Sequence, residues 1–468
     1  MKRIESYKYT SFSVPSVGHD RLISRAGYSE MKQSSKDAIR TALVSLFAEL
    51  QKSPVPQEGQ WVYQRGQNGG WQGSFLERPS TYGLISLHEP LVERLSNNLM
   101  PVLVSDYPEY MTKLIGLPGA GAGILQPRMI LWTLARESLK RFGGWDLKNE
   151  QLESLLEETE RFFDRGTVNI QILSPVLNVH GPMEVPPITF GSGMIMRPIT
   201  DEEVTTLYGG SPLYQAAGRM FSFPDFLFVH ELEVPKVFHD PTNNAQPQEP
   251  FWKATQDVLD RSMLALSSFK EGGAVGYDGI RIAVAELAFG FFGGQHFWGG
   301  DHVPAGHYEL TADELSKFES YVRLFENIHP TLEMACQRLV DATRRTKPRD
   351  SIVDAIVGLE SILLVEIGER QRGETRYRFS LNYASLFPVA ERKSAFYRAR
   401  DLYDLRSKIA HGGEPKAKEK IDGKEITLHE IAAQARAVLR ETIGRFLPNS
   451  AKPEFLAENY WLTKALGL

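Results

Sequence analysis

Arg406 and His411 stand five residues apart in the segment Asp401-Leu-Tyr-Asp-Leu-Arg-Ser-Lys-Ile-Ala-His-Gly-Gly413. An imidazole titrating near ~6.5 moves protons at neutral pH, and a guanidinium holds a phosphate and the charge that develops on it. Together they have the chemistry to cleave a phosphodiester without a metal. The spacing is not diagnostic by itself, because roughly one such match is expected by chance in a chain this long. The elements that carry the pair must supply the specificity.

Those elements read as helices. Thr311-Ala-Asp-Glu314 is a capping box that opens a helix running to about Ile328, where His329-Pro330 stops it. A second helix covers Thr331 to about Arg345, with Leu332, Ala335, Cys336, Leu339 and Val340 on one face. A third begins near Asp350 and is expected to reach Gly368, placing Ile352, Ile356, Leu359, Leu363 and Ile367 at helical spacing. Helices are further expected over Arg376–Phe387, Ser394–His411 and Leu428–Leu447.

Two charges fall on the apolar stripes of this bundle. At about 100° per residue, Arg406 lies centrally among Ala395, Ala399, Leu402, Ile409 and Ala410. Glu360 lies likewise among Val353, Ile356, Leu363, Leu364 and Ile367. A charge on a buried face needs a partner, so Glu360 and Arg406 are expected to face each other. Stranding either one by mutation is expected to cost about 3–5 kcal/mol. On the functional reading, Glu360 orients an arginine whose outer edge stays free for phosphate. The alternative is an ion pair with a structural role only.

Residues 311 to 447 resemble the HEPN superfamily, in particular its Apea-like group. The resemblance rests on Asp350-Ser-Ile-Val-Asp-Ala-Ile-Val-Gly-Leu-Glu-Ser-Ile-Leu-Leu364 followed by Leu402-Tyr-Asp-Leu-Arg-Ser-Lys-Ile-Ala-His-Gly412. The family hallmark, an Arg and a His separated by four to six residues, falls on Arg406 and His411. The resemblance implies an all-α HEPN-type bundle and a dimeric endoribonuclease of bacterial defence, abortive infection or toxin systems. Some members only bind or dimerise, so a non-catalytic RNA-binding or dimerisation module is the alternative. Gly413 stands where members silenced by a nucleotidyltransferase carry Tyr, so that mode of control is not expected.

Five residues of helix rotate by about 500°, which leaves Arg406 and His411 about 140° apart. Gly412-Gly413 and Pro415 form a stop signal, placing His411 in the last turn, where the helix dipole favours its protonated form. A composite site at a two-fold axis would bring the two residue types together. Ser407 and Lys408 are further candidates for phosphate contact.

The chain has 468 residues, 42% of them hydrophobic, enough for two or three domains. A single cysteine, Cys336, leaves no disulfide within the chain and fits a cytoplasmic location. The N-terminus carries no apolar signal region, and no run approaches membrane-spanning length. Residues 341–468 hold 23 Lys+Arg against 18 Asp+Glu, a balance of +5, so the preceding 340 carry −10 of the net −5. Basic clusters at Arg344–Arg349, Arg370–Arg378 and Arg392–Arg400 either solvate a surface or, beside an Arg–His pair, track an RNA backbone; on the second reading RNA is the partner, with Arg398 and Arg400 nearest the motif.

The overall expectation is α+β, a mixed region followed by the helical bundle. Residues 1–165 read as mostly helical, 166–310 as strand-rich, and 311–468 as the bundle. Helices are expected over 34–52, 84–100, 127–142, 149–164 and 251–269, and a Gly/Pro/Gln-rich loop over 51–72. Strands are expected around Val168–Leu173, 187–190, 193–197, Asp225–Val234 and Gly279–Val284, with a capping box at Thr200–Glu203. A phage or cellular trigger sensed by this portion would complete a defence protein.

Two other features resemble chemistry. Gly116-Leu-Pro-Gly-Ala-Gly-Ala-Gly123 is glycine-rich, but no Gly-Lys-Ser/Thr follows and no clear strand precedes it, so it reads as a connector. His296, Asp301, His302 and His307 offer metal-ligand types at a spacing that matches no known signature. No metal or other cofactor is therefore expected.

Overall fold

The computed structural model describes residues 32–55, 57–66, 71–79, 87–117, 121–208, 224–239, 249–273, 275–277, 280–284, 287, 289, 295–296, 308–365 and 374–467. The fold is α+β, with a helical C-terminal region. Helix α1 (Gln33–Leu50) buries Ile39, Leu43, Leu46 and Phe47 along one stripe. Packed around it are α2 (Glu89–Asp106), α3 (Pro127–Phe142) and α4 (Asn149–Asp164). Helix α3 shows why its bounds were readable: Pro127 sits in its first turn, and Gly143 ends it with φ 76°.

Residues 57–65 and 71–72 of the stretch read as a loop over 51–72 are instead strand. Strand β1 (Gln57–Arg65) pairs antiparallel with β2 (Trp71–Pro79). The Gly/Gln content hid the aromatic pairs that hold this hairpin. Trp61 opposes Phe75, their rings 5.6 Å apart edge to face, and Trp61 stacks beside Tyr63. A second hairpin corrects the connector read at Gly116–Gly123. There β3 (Leu114–Leu117) pairs antiparallel with β4 (Gly121–Gly123).

The strand-rich region centres on one antiparallel sheet. Its backbone is the long ladder of Thr167–Leu177 with Phe226–Pro235, flanked by Ile280–Val284 on one side and Met194–Pro198 on the other. Buried Val168, Ile170, Ile172 and Phe228 mark its inner surface. Thr200 and Glu203 cap α5 (Asp201–Tyr208) as expected, and α6 (Glu249–Phe269) follows.

In the C-terminal region, α7 (Ala312–Val322) starts at the predicted capping box and gives way to a short 3-10 turn at Arg323–Phe325, well before Ile328. Then come α8 (Pro330–Arg344), α9 (Pro348–Leu363), α10 (Thr375–Ser385), α11 (Val389–Ala410), α12 (Leu428–Phe446) and α13 (Tyr460–Leu466). Helix α9 is shorter than expected: Leu364 is its cap, and Ile367 and Gly368 lie outside the described residues. Helices α8, α9 and α12 pack on one another, and α11 lies against α10 and α9. Gly358 is what lets α9 and α12 approach, since a Cβ there would sit 2.7 Å from a Leu439 methyl. The apolar core runs continuously from Ile39 through the sheet to Trp461, and α6 packs directly on α8. Among the described residues, no helix is long and apolar enough to cross a membrane.

Candidate active site

Helix α11 presents Ala395, Ala399, Leu402 and Leu405 to the core, and its small residues allow close packing. Arg406 follows Leu405 at the margin of that stripe. Opposite, α9 buries Ile352, Ile356, Leu359 and Leu363, with Glu360 at the edge of the same face. The expected pairing is present: Arg406 Nη2 donates to Glu360 Oε2 at 2.9 Å. The setting is less buried than the stripe implied, because the Arg406 side chain is 26% exposed and that of Glu360 is 18% exposed. Two positions assigned to the stripe also lie nearer solvent, Ile409 half-buried and Ala410 exposed.

Burial pushes the Glu360 carboxyl above the ordinary range, and Arg406 offsets this only in part. Arg406 Nε is buried without a hydrogen-bond partner among the described residues. A guanidinium has five N–H donors in a planar fork, so this ion pair fixes its orientation while occupying few of them. Tyr403, one turn earlier on α11, completes the cluster with its ring 5.2 Å from Phe379. Burial, reinforced by the Glu360 charge, raises its phenol, so the hydroxyl stays protonated at neutral pH. Tyr403 went unnoticed in the sequence, although its place three residues before Arg406 puts it on the same helix face.

His411 caps the C-terminus of α11 and is exposed, its backbone N–H donating to Ser407 O at 3.1 Å. Gly412 takes φ +79°, a left-handed conformation that favours glycine, and Gly413 N donates to Lys408 O at 2.9 Å. The Gly-Gly stop signal thus ends the helix where expected. Its start is earlier, at Val389 after Pro388, five residues before Ser394.

A hairpin not foreseen in the sequence braces this helix. Strands Lys418–Ile421 and Lys424–Thr427 pair antiparallel around Asp422 (φ 49°) and Gly423 (φ 80°). Asp-Gly between two short β-prone runs is the available signal. Glu419 accepts from Lys408 Nζ at 2.9 Å and from Lys416 N at 2.8 Å, so Lys408 is tied to the hairpin. Burial raises the Glu419 carboxyl, but these contacts more than offset it and hold it below its ordinary range. Near the start of the helix, Ser394 Oγ donates to Asp422 at 2.6 Å, and Asp401 accepts from Asp422 N at 3.0 Å.

The structure therefore gathers Glu360, Tyr403 and Arg406 into one cluster, with half-buried Ser407 and exposed Lys408 and His411 at the same helix end. Arg398 and Arg400 lie about two turns earlier. Arg398 is beside the buried Tyr383 phenol, and the Arg400 guanidinium sits 4.7 Å above the Tyr397 ring. Several members of the basic clusters are neutralised, Arg376 by Asp404 at 2.6 Å and Arg345 by Asp354 at 2.7 Å. Among the described residues, no group of three or more His, Cys, Asp or Glu side chains is placed to hold a metal. Of the glycine-rich loop, His296 lies in a short strand against Ile280, and Asp301, His302 and His307 lie outside the described residues. No protein-family model, no curated protein and no solved structure matches this chain.

Proposed function

We propose that the chain is a metal-independent endoribonuclease of HEPN type, acting as a dimer in bacterial defence, with the region before residue 311 serving as its sensor. The observation that carries this reading is the Arg406–Glu360 pair. It is a guanidinium fixed through one nitrogen at a partly open helix seam, on the helix that ends at an exposed His411. A purely structural pair needs neither the exposure nor the histidine.

In the proposed reaction the ribose 2′-OH oxygen attacks the adjacent phosphorus and the bond to the 5′-oxygen breaks, leaving a 2′,3′-cyclic phosphate and a 5′-hydroxyl. Arg406 holds the non-bridging oxygens as negative charge builds on them. His411 takes the 2′-OH proton and, now an imidazolium, delivers it to the departing 5′-oxygen. Tyr403, kept protonated, can donate to the same phosphate. Arg398 and Arg400 lie along the helix where the RNA backbone would continue, and Ser407 adds a hydroxyl.

Incubation of the purified protein with single-stranded RNA in EDTA tests this. Cleavage should persist under chelation and yield cyclic-phosphate ends. Binding without cleavage would favour the non-catalytic module, and cleavage abolished by EDTA would point to metal chemistry.

A further inference from the structure

A second group of cations lies away from α11, where the helical region meets the strand-rich one. Arg436 and Arg440 stand one turn apart on α12, half-buried, and each feels the charge of Glu271 in the turn that follows α6. Arg344, at the end of α8, reaches the same turn and donates to Val275 O at 3.3 Å. These guanidiniums have few partners. Arg436 donates to Ser351 Oγ at 2.9 Å, while Arg440 Nε and Arg344 Nε are both buried with no acceptor among the described residues. Glu271 is exposed and forms no ion pair with them, and the neighbouring Lys270 is taken by Glu314 at 2.7 Å.

Burial lowers both Arg436 and Arg440 from the usual guanidinium range, the direction expected of cations short of counter-charge. The phenols of Tyr308 and Tyr321, close enough to Arg440 to feel its charge, are themselves pushed up by burial and stay neutral. Arg436 and Arg440 thus share one exposed carboxylate, and Arg344 reaches the same turn. Desolvated guanidiniums without acceptors are costly, and the forked donor geometry suits a tetrahedral oxyanion.

We propose that Arg344, Arg436 and Arg440 form a binding site for the phosphate group of a small soluble ligand, at the junction of α8 and α12 with the turn after α6. Because the nitrogens are recessed, a free phosphate or a terminal phosphate on a nucleotide reaches them more readily than a polymer backbone does. A ligand there would touch both regions and couple them. The site is independent of the reading of Arg406 as a nuclease residue.

Thermal unfolding at constant ionic strength, with chloride replaced stepwise by orthophosphate or, in a second arm, by ATP in EDTA, tests the proposal. Either anion should raise the melting temperature of the wild type, and equally that of Arg406→Ala, which removes the other candidate phosphate site. Arg440→Leu should abolish the response. Where that variant does not fold, Arg440→Lys, which keeps the charge but loses the fork, should need at least tenfold more ligand. A response to orthophosphate assigns the free anion, and one to ATP alone assigns a nucleotide-borne phosphate. No response to either anion, or an undiminished response in the Arg440 variants, would overturn the site.

Discussion

Arg406 reaches Glu360 across the α9–α11 seam through a single nitrogen, Nη2 to Oε2 at 2.9 Å, with both side chains partly exposed. Partial exposure reduces what the pair contributes. Glu360→Gln should destabilise by about 1–2 kcal/mol, well below the about 3–5 kcal/mol of a fully buried pair. It should also impair cleavage, because Arg406 loses its orienting partner. Glu360→Leu/Arg406→Leu should regain most of the stability and none of the cleavage. Urea melts and an RNA cleavage assay read both. A double variant no more stable than Glu360→Gln would show that the two residues do not act as partners.

His411 is exposed at a helix end and makes few packing contacts. His411→Ala should therefore change stability by less than about 0.5 kcal/mol, as surface substitutions usually do. Cleavage should fall by at least about 100-fold, the lower range for loss of a general acid–base group. Wild-type cleavage by this variant would remove His411 from the mechanism.

Both predictions concern residues visible in the sequence, and the reason is physical. A charge at helical spacing within an apolar stripe is a strong anomaly, so Glu360 and Arg406 stood out and their contact followed. The punctuation of Pro127–Phe142 marks both its ends, and the Thr311–Glu314 box marks the start of the next bundle helix, though not its end. The hairpin at Gln57–Pro79 was not readable, because its order comes from cross-strand aromatic pairs rather than from local propensity. Tyr403 was missed because an aromatic beside an apolar stripe looks like ordinary packing. The Arg344–Arg436–Arg440 group joins residues far apart in the chain, and only tertiary packing brings them to one turn.

The hairpin after α11 has a role that can be measured. Glu419 ties Lys408 and the Lys416 amide together beside the helix end. Glu419→Ala should cost only about 0.5–1 kcal/mol, because the pair with Lys408 is near the surface. If the hairpin positions the end that bears His411, cleavage should fall more than stability implies, with RNA affinity nearly unchanged. Equal small losses in both would leave the hairpin a structural brace alone.

Arg406 is fixed at the seam, whereas His411 projects from the end of the same helix. A second subunit related by a two-fold axis would place its own pair beside the first and complete the site. Multi-angle light scattering at micromolar concentration should give the mass of a dimer. Mixing an Arg406→Ala chain with a His411→Ala chain should restore part of the cleavage if the two groups act across the axis. A strict monomer that cleaves RNA would dispose of the composite site.

The pH dependence of stability separates the two members of the seam pair. Burial raises the folded-state pKa of Glu360 above its unfolded value of about 4.3, against the partial opposition of Arg406. The contribution of a group so shifted is fully present below the unfolded pKa and is lost as pH rises through the folded value. Removing the guanidinium in Arg406→Ala pushes Glu360 higher still, so more stability is lost on ionisation. The gap in unfolding free energy between wild type and Arg406→Ala should therefore widen as pH rises from about 4 to about 7. Carboxylates held below their ordinary range elsewhere, including Glu203, Glu314, Glu419 and Glu430, act oppositely but equally in both proteins and cancel in the difference. Urea melts at closely spaced pH values supply the measurement. A gap that stays flat would mean that Arg406 does not stabilise the Glu360 charge, and the orienting role of Glu360 would fall with it.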